Sequence, residues 1–204
     1  MLHWLRKSGL KVAAIKQLIR TDSPVIFDVG ANDGQTTLEF LQHFPNAKIF
    51  AFEPDPRAIA KFRSSVVASN VSLFEIALGA KDGLASFHMS DGVKRGREEM
   101  SVNGWDKSGS LLPPKTVTDA WPWLQFNRKI DVQVVRLDTW AAQHNISHVD
   151  FLWADVQGGE GDLIRGGNET LTKTDFFYTE YSNDEWYEGQ PSFRRLKKCC
   201  RILW

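Results

Sequence analysis

The sequence predicts an α/β fold in which a parallel β-sheet is covered by helices on both faces. Three short runs rich in apolar residues are typical of buried strands, and they lie at residues 25–29, 49–52 and 71–76. Two segments of helical character, residues 35–43 and 57–67, separate these runs. The short connections favour strand–helix–strand units, which place parallel strands side by side.

The same alternation returns near the C-terminus. Strands are predicted at residues 132–137, 149–154 and 175–179, and helices at residues 139–144, near Asp162 and at residues 192–199. Between the two halves, residues 85–89 are predicted to form a short strand, and residues 90–129 are polar with little periodicity. A segment of that length favours a functional lid or substrate loop. Its tryptophans are consistent with either a ligand-binding wall or a hydrophobic anchor for the loop: Trp105, Trp121 and Trp123.

A chain of 204 residues favours a single domain. We expect an N-terminal amphipathic helix and entry segment over residues 1–24, followed by one domain over residues 25–204 with a loop or lid insertion at about 90–130. The apolar residues of the N-terminal segment share one helical face: Val12, Ile15, Leu18 and Ile19. Because basic residues accompany this stripe, it is suited either to packing on the domain or to lying on an anionic membrane surface.

Composition excludes several classes of protein. The chain is 42% hydrophobic and 25% charged, which excludes a disordered or fibrous protein. Basic and acidic residues number 25 each, and a pI of about 7.0 argues against a nucleic-acid partner. No apolar run reaches the roughly 18 residues of a membrane span, and the N-terminus lacks the pattern of a signal peptide. The only cysteines, Cys199 and Cys200, are adjacent and indicate no disulfide, so we expect a cytoplasmic protein without stable membrane insertion.

Candidate ligand-binding residues follow the first predicted strand. Gly30 and Gly34 form a Gly-x-x-x-Gly turn between a strand and a helix, with Asn32 between them. The glycines permit close backbone approach, and Asn tolerates left-handed geometry. Because the pattern differs from the Gly-x-Gly-x-x-Gly fingerprint of pyrophosphate binding, it disfavours a dinucleotide and suits a smaller anionic group such as a carboxylate.

An acidic residue ends the next strand. Glu53 follows Asp28 by 25 residues and precedes Pro54. A carboxylate at this position can accept both hydroxyls of a ribose, as the acid about 20 residues further on does in dinucleotide folds. S-adenosylmethionine is a nucleoside that carries a carboxylate and no phosphate, so it is the cofactor that we predict.

These motifs resemble those of the FkbM-type family of S-adenosylmethionine-dependent, class I methyltransferases. The resemblance spans about residues 25–180. Its motifs are Phe-Asp-Val-Gly-Ala-Asn-Asp-Gly at 27–34, Phe-Glu-Pro-Asp-Pro at 52–56, Ala-Leu-Gly at 77–79, Ser-Gly-Ser-Leu at 108–111, Val-Arg-Leu-Asp at 135–138 and Val-Asp-Phe-Leu-Trp-Ala-Asp-Val-Gln-Gly-Gly-Glu at 149–160. The first two motifs occur in many class I methyltransferases, whereas the last is more specific to this family.

The resemblance implies a Rossmann-like sheet and a set of cofactor contacts. Asp28, Gly30, Asn32 and Gly34 would surround the methionine part of the cofactor, and Glu53 would hold the ribose. Further positions complete the implied cofactor site: Thr36, Pro54, Ala77, Ser110 and Asp155. Class I sheets end with two further strands, but only residues 201–204 follow the last predicted helix. We therefore expect at least the final strand to be missing and the sheet to present an exposed apolar edge.

Methyl transfer from a sulfonium requires mainly that an acceptor is aligned and that a base is supplied. We expect Asp155 to be the base or the acceptor-orienting residue, followed by Glu160 and then Glu180. Asp155 could instead cap the following helix, and Glu160 could complement its dipole. The family usually has Glu where this chain has Gln157 and Ala where it has Gly159, which argues against a role that needs a second carboxylate there. The histidines show no metal-ligand spacing, so we expect no metal site.

The predicted activity is methylation of a hydroxyl oxygen of a sugar or small natural product, and the expected partner is a small-molecule acceptor such as a glycan. Two alternatives stay open. An RNA or protein methyltransferase is disfavoured by the neutral charge and by the absence of an Asn/Asp-Pro-Pro-Tyr signature. A non-catalytic or truncated cofactor-binding protein would account for Gln157 and for the abrupt C-terminus. The sequence does not define the oligomeric state.

Overall fold

The computed structural model describes residues 3–5, 12–93 and 104–199. They form two sheets, a 6-stranded main sheet and a 3-stranded second sheet. In chain order the elements are β1 (His3–Leu5), α1 (Val12–Ile15), β2 (Val25–Val29), α2 (Gln35–His43), β3 (Lys48–Phe52), α3 (Pro56–Ser65), β4 (Val71–Phe74), β5 (Ala77–Leu78), β6 (Gly83–Gly92), α4 (Val117–Ala120), β7 (Leu124–Val135), α5 (Leu137–Gln143), β8 (Val149–Ala154), α6 (Glu160–Gly166), α7 (Asn168–Thr172), β9 (Thr174–Thr179) and α8 (Phe193–Cys199).

The main sheet has the strand order β1-β9-β8-β2-β3-β4, and all of its strands are parallel. This arrangement confirms the predicted α/β class. Strands β3 and β4 lie on one side of β2, whereas β8 and β9 lie on the other. The strand order therefore reverses between β2 and β8. At such a reversal the carboxyl ends of neighbouring strands leave a crevice, which is where open α/β sheets bind ligands.

The two faces of the main sheet bury separate apolar clusters. Ile26 and Phe27 of β2 are both fully buried, and they point to opposite faces because strand side chains alternate. On one face Phe27 packs with Phe52 and Trp140, and the ring centroids of Phe52 and Trp140 lie 4.8 Å apart, edge to face. On the other face Ile26 packs with Phe40 of α2. Burial on both faces explains why apolar residues stand at consecutive positions of β2.

Several elements lie where the sequence predicts them. Strands β2 and β8 and helix α2 have the predicted bounds. The apolar stripe of the N-terminal segment packs on the domain, because Val12, Ile15 and Ile19 are buried against α2 and the main sheet. Within the described residues, no helix has the length and hydropathy needed to cross a membrane.

The expectation of an exposed edge beside the last parallel strand was wrong. Strand β1 pairs in parallel with β9, with His3 opposite Phe176 and Leu5 opposite Tyr178. A strand this short shows no period of its own, so the sequence predicted only a helix in this region. Residues 201–204, on which the expected missing strand depends, lie outside the described residues.

The second sheet includes part of the segment that was predicted to be irregular. Strands β6 and β7 form an antiparallel hairpin, and β5 pairs in parallel with β7. Strand β7 begins at Leu124 rather than at the predicted residue 132, so the irregular segment is shorter than predicted. Residues 125–131 are mostly exposed and polar, so they lack the apolar alternation that marks a half-buried strand. The sheet has its own apolar cluster: Ala77, Phe87, Met89, Val132 and Val134.

Gly34 is a position at which we expect a side chain to cost stability. It has φ +84° and precedes α2, and a Cβ atom there would lie 2.5 Å from Val66 Cγ2. Gly34→Ala should lower the free energy of unfolding by about 1–3 kcal/mol, because both the left-handed backbone and this contact oppose a side chain. Gly189→Ala is the matched control, with φ +75° and no atom within 4 Å of the Cβ position. Equal losses for the two variants in urea unfolding would contradict a packing role for Gly34.

Candidate active site

A first cavity, of about 240 Å³, lies at the carboxyl ends of β2, β3 and β8. Its lining residues come from the turn after β2 (residues 29–36), from residues 52–54, from residues 76–78, from the segment 106–111 and from residues 153–159. The cavity therefore occupies the crevice at which the strand order reverses.

The turn after β2 forms one wall of the first cavity. Gly30 has φ +82°, and its N–H donates to Phe52 O at 2.9 Å. A Cβ atom on Gly30 would lie 2.0 Å from the Asp155 carbonyl oxygen, so only glycine fits. Asn32 is also left-handed, with φ 45°, and its Nδ2 donates to Asp106 O at 3.0 Å. Asn32 Oδ1 is buried and has no hydrogen-bond partner among the described residues.

Glu53 is held by two backbone donors. The Asn32 N–H donates to its Oε2 at 2.9 Å, and the Asp55 N–H donates to its Oε1 at 2.8 Å. Burial raises the pKa of Glu53 to about 8, although these two bonds oppose the rise, and the charges of Asp55 and Asp106 raise it further. Each carboxylate oxygen keeps a second lone pair, and the side chain lines the cavity. Glu53 can therefore accept two more hydrogen bonds from a ligand.

Two charged residues of the cavity wall, Asp106 and Lys107, were not predicted. Asp106 is buried and forms an ion pair with Lys61 Nζ at 2.5 Å, while its Oδ1 has no hydrogen-bond partner within the described part of the chain. Lys107 Nζ lies 2.7 Å from Asp33 Oδ2, and both side chains are partly exposed and line the cavity. No sequence signal marks these residues, because they precede the Ser-Gly-Ser-Leu motif at 108–111 and lie in a segment with little periodicity.

Most of the predicted cofactor residues line the first cavity: Gly30, Asn32, Thr36, Glu53, Pro54, Ala77 and Asp155. Asp28, Gly34 and Ser110 do not line it. Asp28 is buried in β2 and accepts a hydrogen bond from Thr37 Oγ1 at 2.6 Å, and burial raises its pKa to about 6. Ser110 Oγ donates to Gln157 O at 2.7 Å. These residues therefore lie outside the lining of the cavity, next to the elements that form it.

A second cavity, of about 710 Å³, adjoins the first, because Asp155 and Gln157 line both. Glu160 and Glu180 line the second cavity. The fold thus brings the three predicted catalytic acids to one cavity from different elements. Asp155 follows β8, Glu160 begins α6 and Glu180 follows β9. Of the three acids, Asp155 is the one that lines both cavities.

Burial weakens these acids. It raises the pKa of Asp155 to about 7 and that of Glu160 to about 7, and it also raises the pKa of Glu180. The charge of Glu180 raises the pKa of Asp155 further, whereas the hydrogen bond from Gln157 lowers it. Near neutral pH the Asp155 carboxyl therefore occupies both protonation states, which is favourable for a group that accepts a proton.

Gln157 holds Asp155 through its side-chain amide. It has φ 50°, and its Nε2 donates to Asp155 Oδ1 at 2.5 Å. An ionised carboxylate at this position could not donate this bond. The Tyr187 hydroxyl donates to Ser108 O at 2.8 Å, and Gln157 Oε1 lies 3.4 Å from the same hydroxyl. Tyr187 was not predicted, because its segment carries no motif.

The reversed strand order, the glycine turn, the acid after the following strand and the adjoining acidic cavity together define a Rossmann-like α/β enzyme. Residues 28–199 match the family model described as methyltransferase FkbM domain. The chain therefore belongs to the FkbM methyltransferase family, which confirms the resemblance seen in its motifs.

The chain is similar to several individual proteins. The 2-O-methyltransferase NoeI of Sinorhizobium fredii is 44% identical over 191 residues, which cover 93% of this chain and 76% of NoeI. Methyltransferase 1 of Beauveria bassiana is 28% identical over 152 residues, which cover 71% of this chain and 59% of that protein. The crystal structure of methyltransferase FkbM from Methylobacillus flagellatus KT is 13% identical with a TM-score of 0.44, covering 74% of this chain and 31% of that chain.

Proposed function

We propose that this methyltransferase transfers the methyl group of S-adenosylmethionine to a hydroxyl oxygen of a sugar or small natural product. The observation that carries the proposal is the meeting of two cavities at Asp155. One cavity has the groups that a nucleoside with an amino-acid tail requires, and the other leaves space for an acceptor. The 44% identity to a protein named as a 2-O-methyltransferase supports oxygen as the acceptor atom.

The first cavity fits S-adenosylmethionine in its donors, acceptors and apolar surface. Asn32 Oδ1 and Asp106 Oδ1 are buried acceptors that lack partners in the described residues, so N–H or O–H groups of a ligand would satisfy them. In this proposal Glu53 holds the ribose hydroxyls. Four apolar side chains line the part of the wall proposed for the adenine ring: Ile76, Leu78, Phe87 and Leu111.

The amino-acid tail would lie against the turn after β2. Gly30, Asn32 and Thr36 line this part of the cavity, at the N-terminus of α2. Backbone N–H groups in the first turn of a helix have no partner within the helix, so they can bind a carboxylate. Phosphate is not required at this position, in agreement with the incomplete pyrophosphate fingerprint.

Asp155 is the proposed base. When bound, S-adenosylmethionine supplies a methyl group whose carbon–sulfur bond breaks, with its electron pair returning to sulfur, as the acceptor oxygen bonds to the carbon. Asp155 accepts the proton of the acceptor hydroxyl, and Gln157 fixes the orientation of the Asp155 carboxylate. Glu180 lies in the same cavity, and its negative charge raises the pKa of Asp155, which makes Asp155 a stronger base.

Thermal unfolding tests the cofactor assignment. At a concentration of S-adenosylmethionine or S-adenosylhomocysteine about 100 times its dissociation constant, the fold should gain about 2.7 kcal/mol. For a domain of this size that gain should raise the Tm by roughly 5–10 °C. NAD, whose pyrophosphate the glycine turn disfavours, is the control ligand and should give no shift. The absence of a shift with both adenosyl ligands would contradict the proposed cofactor.

A turnover measurement separates an enzyme from a non-catalytic relative. Isotopically labelled methyl should pass from S-adenosylmethionine to a hydroxylated acceptor, and the label should be stable to mild base as expected for an ether. A thermal shift without transfer to any acceptor would favour the non-catalytic alternative.

A further inference from the structure

We propose that the second cavity is the acceptor site and that it binds an electrically neutral sugar within a glycoside rather than a nucleotide-activated sugar. This inference rests on the proposed function, because it assumes that the methyl donor occupies the first cavity. It adds the chemical class of the acceptor and its place in a reaction sequence.

The charge of the second cavity is the first argument. Four carboxyl groups line it: Asp155, Glu160, Glu180 and Asp184. None of its described lining residues is a Lys or an Arg. Proteins bind phosphate groups with Arg, Lys or backbone donors, and acids placed beside a phosphate repel it. The diphosphate of a nucleotide-activated sugar would therefore meet repulsion here without a compensating cation.

Two lysines beside the cavities are already paired with acids. Lys115 lies 2.5 Å from Glu185 Oε2, and neither residue lines the second cavity. Lys107 lines the first cavity and pairs with Asp33. Either lysine could bind a diphosphate only if its present ion pair with a carboxylate were broken.

The aromatic wall of the second cavity is the second argument. Tyr181, Trp186 and Tyr187 line it together with neutral hydrogen-bonding side chains such as Asn183 and Gln190. A sugar presents apolar C–H faces and a rim of hydroxyl groups, so it needs flat apolar surfaces beside acceptors and amides. The acids that repel phosphate can accept hydrogen bonds from those hydroxyls.

Contacts within the protein hold this aromatic wall in place. The backbone oxygen of Trp186 accepts hydrogen bonds from Lys115 N at 2.8 Å and Val117 N at 3.3 Å. The ring of Tyr181 stacks on Phe193 with centroids 4.5 Å apart. A preformed wall lowers the entropy cost of binding a small ligand.

A reaction order follows from a neutral acceptor. Sugars enter glycosides from activated donors, so a glycosyl transfer must supply the substrate of this enzyme. Methylation then acts on the sugar after it has left its nucleotide carrier, and the product is a methylated glycoside.

Matched acceptor pairs test the inference. The full chain is incubated with labelled S-adenosylmethionine and with p-nitrophenyl glycosides of glucose, galactose, mannose and fucose, each paired with the nucleoside-diphosphate form of the same sugar. We expect at least one glycoside to be methylated, with kcat/KM about a hundredfold or more above that of its nucleotide-linked counterpart. Equal or faster methylation of a nucleotide-linked sugar would overturn the inference. So would transfer to no member of the panel.

A thermal shift with S-adenosylhomocysteine distinguishes these failures from failure of the proposed function. If the shift is present and the glycosides are not methylated, the acceptor inference is overturned and the cofactor site is retained. If the shift is absent, the proposed function itself has failed.

A tryptophan pair tests the location of the acceptor. Trp186→Ala should raise the KM for the glycoside about tenfold or more and leave the S-adenosylhomocysteine shift intact. Trp123→Ala is the matched control, because Trp123 belongs to the same aromatic cluster and lines neither cavity. An unchanged KM in a Trp186→Ala protein that still shows the shift would remove the second cavity as the acceptor site.

Discussion

Replacing Asp155 by Asn should lower kcat by about 10²–10⁴-fold while leaving the binding of S-adenosylhomocysteine almost unchanged. Asn has the shape of Asp but cannot accept the proton of the acceptor hydroxyl. Steady-state rates with an acceptor that the wild type methylates give the loss of kcat. Isothermal titration gives the affinity for S-adenosylhomocysteine. Asp22→Asn is the control, because Asp22 is exposed and lies in neither cavity.

The pH profile of the wild type adds a second readout for Asp155. Its raised pKa of about 7 means that a growing fraction of the base is ionised as the pH rises toward that value. The rate should therefore rise about tenfold per pH unit below it and level off above it. Because Asp155 and Glu180 influence each other, the apparent pKa belongs to the pair. A variant that loses ligand affinity rather than rate would instead assign Asp155 a structural role.

Above pH 8, where the Glu53 carboxyl is ionised, replacing Glu53 by Gln should weaken the binding of S-adenosylmethionine and of S-adenosylhomocysteine by about 10- to 100-fold. Hydrogen bonds to a charged group contribute about 1.5–3 kcal/mol, and each 1.4 kcal/mol is a factor of ten in affinity. Gln also directs its amide hydrogens toward one of the two backbone donors that hold Glu53, Asn32 N or Asp55 N. Isothermal titration of both ligands measures the loss. Glu75→Gln is the control, since Glu75 pairs with Arg63 at the surface.

Glu53 should also make the stability of the unliganded protein depend on pH. Its pKa is about 8 in the folded chain and 4.5 in the unfolded chain, so the folded state binds the proton more tightly. The resulting stability is fully present below pH 4.5 and is lost as the pH rises through about 8. We therefore expect the wild-type Tm to fall between pH 5 and pH 8 and the fall to be smaller in Glu53→Gln. Identical Tm profiles for the two proteins would contradict this assignment.

The parallel sheet could be predicted because its strands are buried on both faces. Runs rich in apolar residues, such as 25–29 and 149–154, have few other interpretations when helical segments separate them. Strand β7 could not be delimited in the same way. It begins with residues that are exposed and polar, and it is a strand because it pairs with β6 rather than because of its own pattern. Strand β1 depends even more on its partner. It lies at the start of the described chain, and its partner β9 lies far along the sequence.

The candidate site likewise contains residues that could be predicted from the sequence and residues that could not. Gly30, Asn32 and Glu53 could be predicted, because a strand-to-helix turn and the acid after the next strand have a fixed relation in sequence. Asp106 and Tyr187 reach the cavities from segments without regular spacing. Their positions depend on tertiary contacts, such as Asn32 Nδ2 to Asp106 O and the Tyr187 hydroxyl to Ser108 O. Local sequence carries no record of such contacts.

Within the described part of the chain, the charged groups that act on Asp155 carry no positive charge, which affects turnover. These groups are Glu180 and Asp28, which are both acids. A negative potential attracts the sulfonium cation of S-adenosylmethionine but gives no such advantage to the uncharged thioether that remains after transfer. Methyl transfer would thus convert a positively charged cofactor into an uncharged product, which this potential does not attract. Product inhibition would therefore be weaker. The affinities of the wild type for S-adenosylmethionine and for S-adenosylhomocysteine, measured by isothermal titration, report this difference directly.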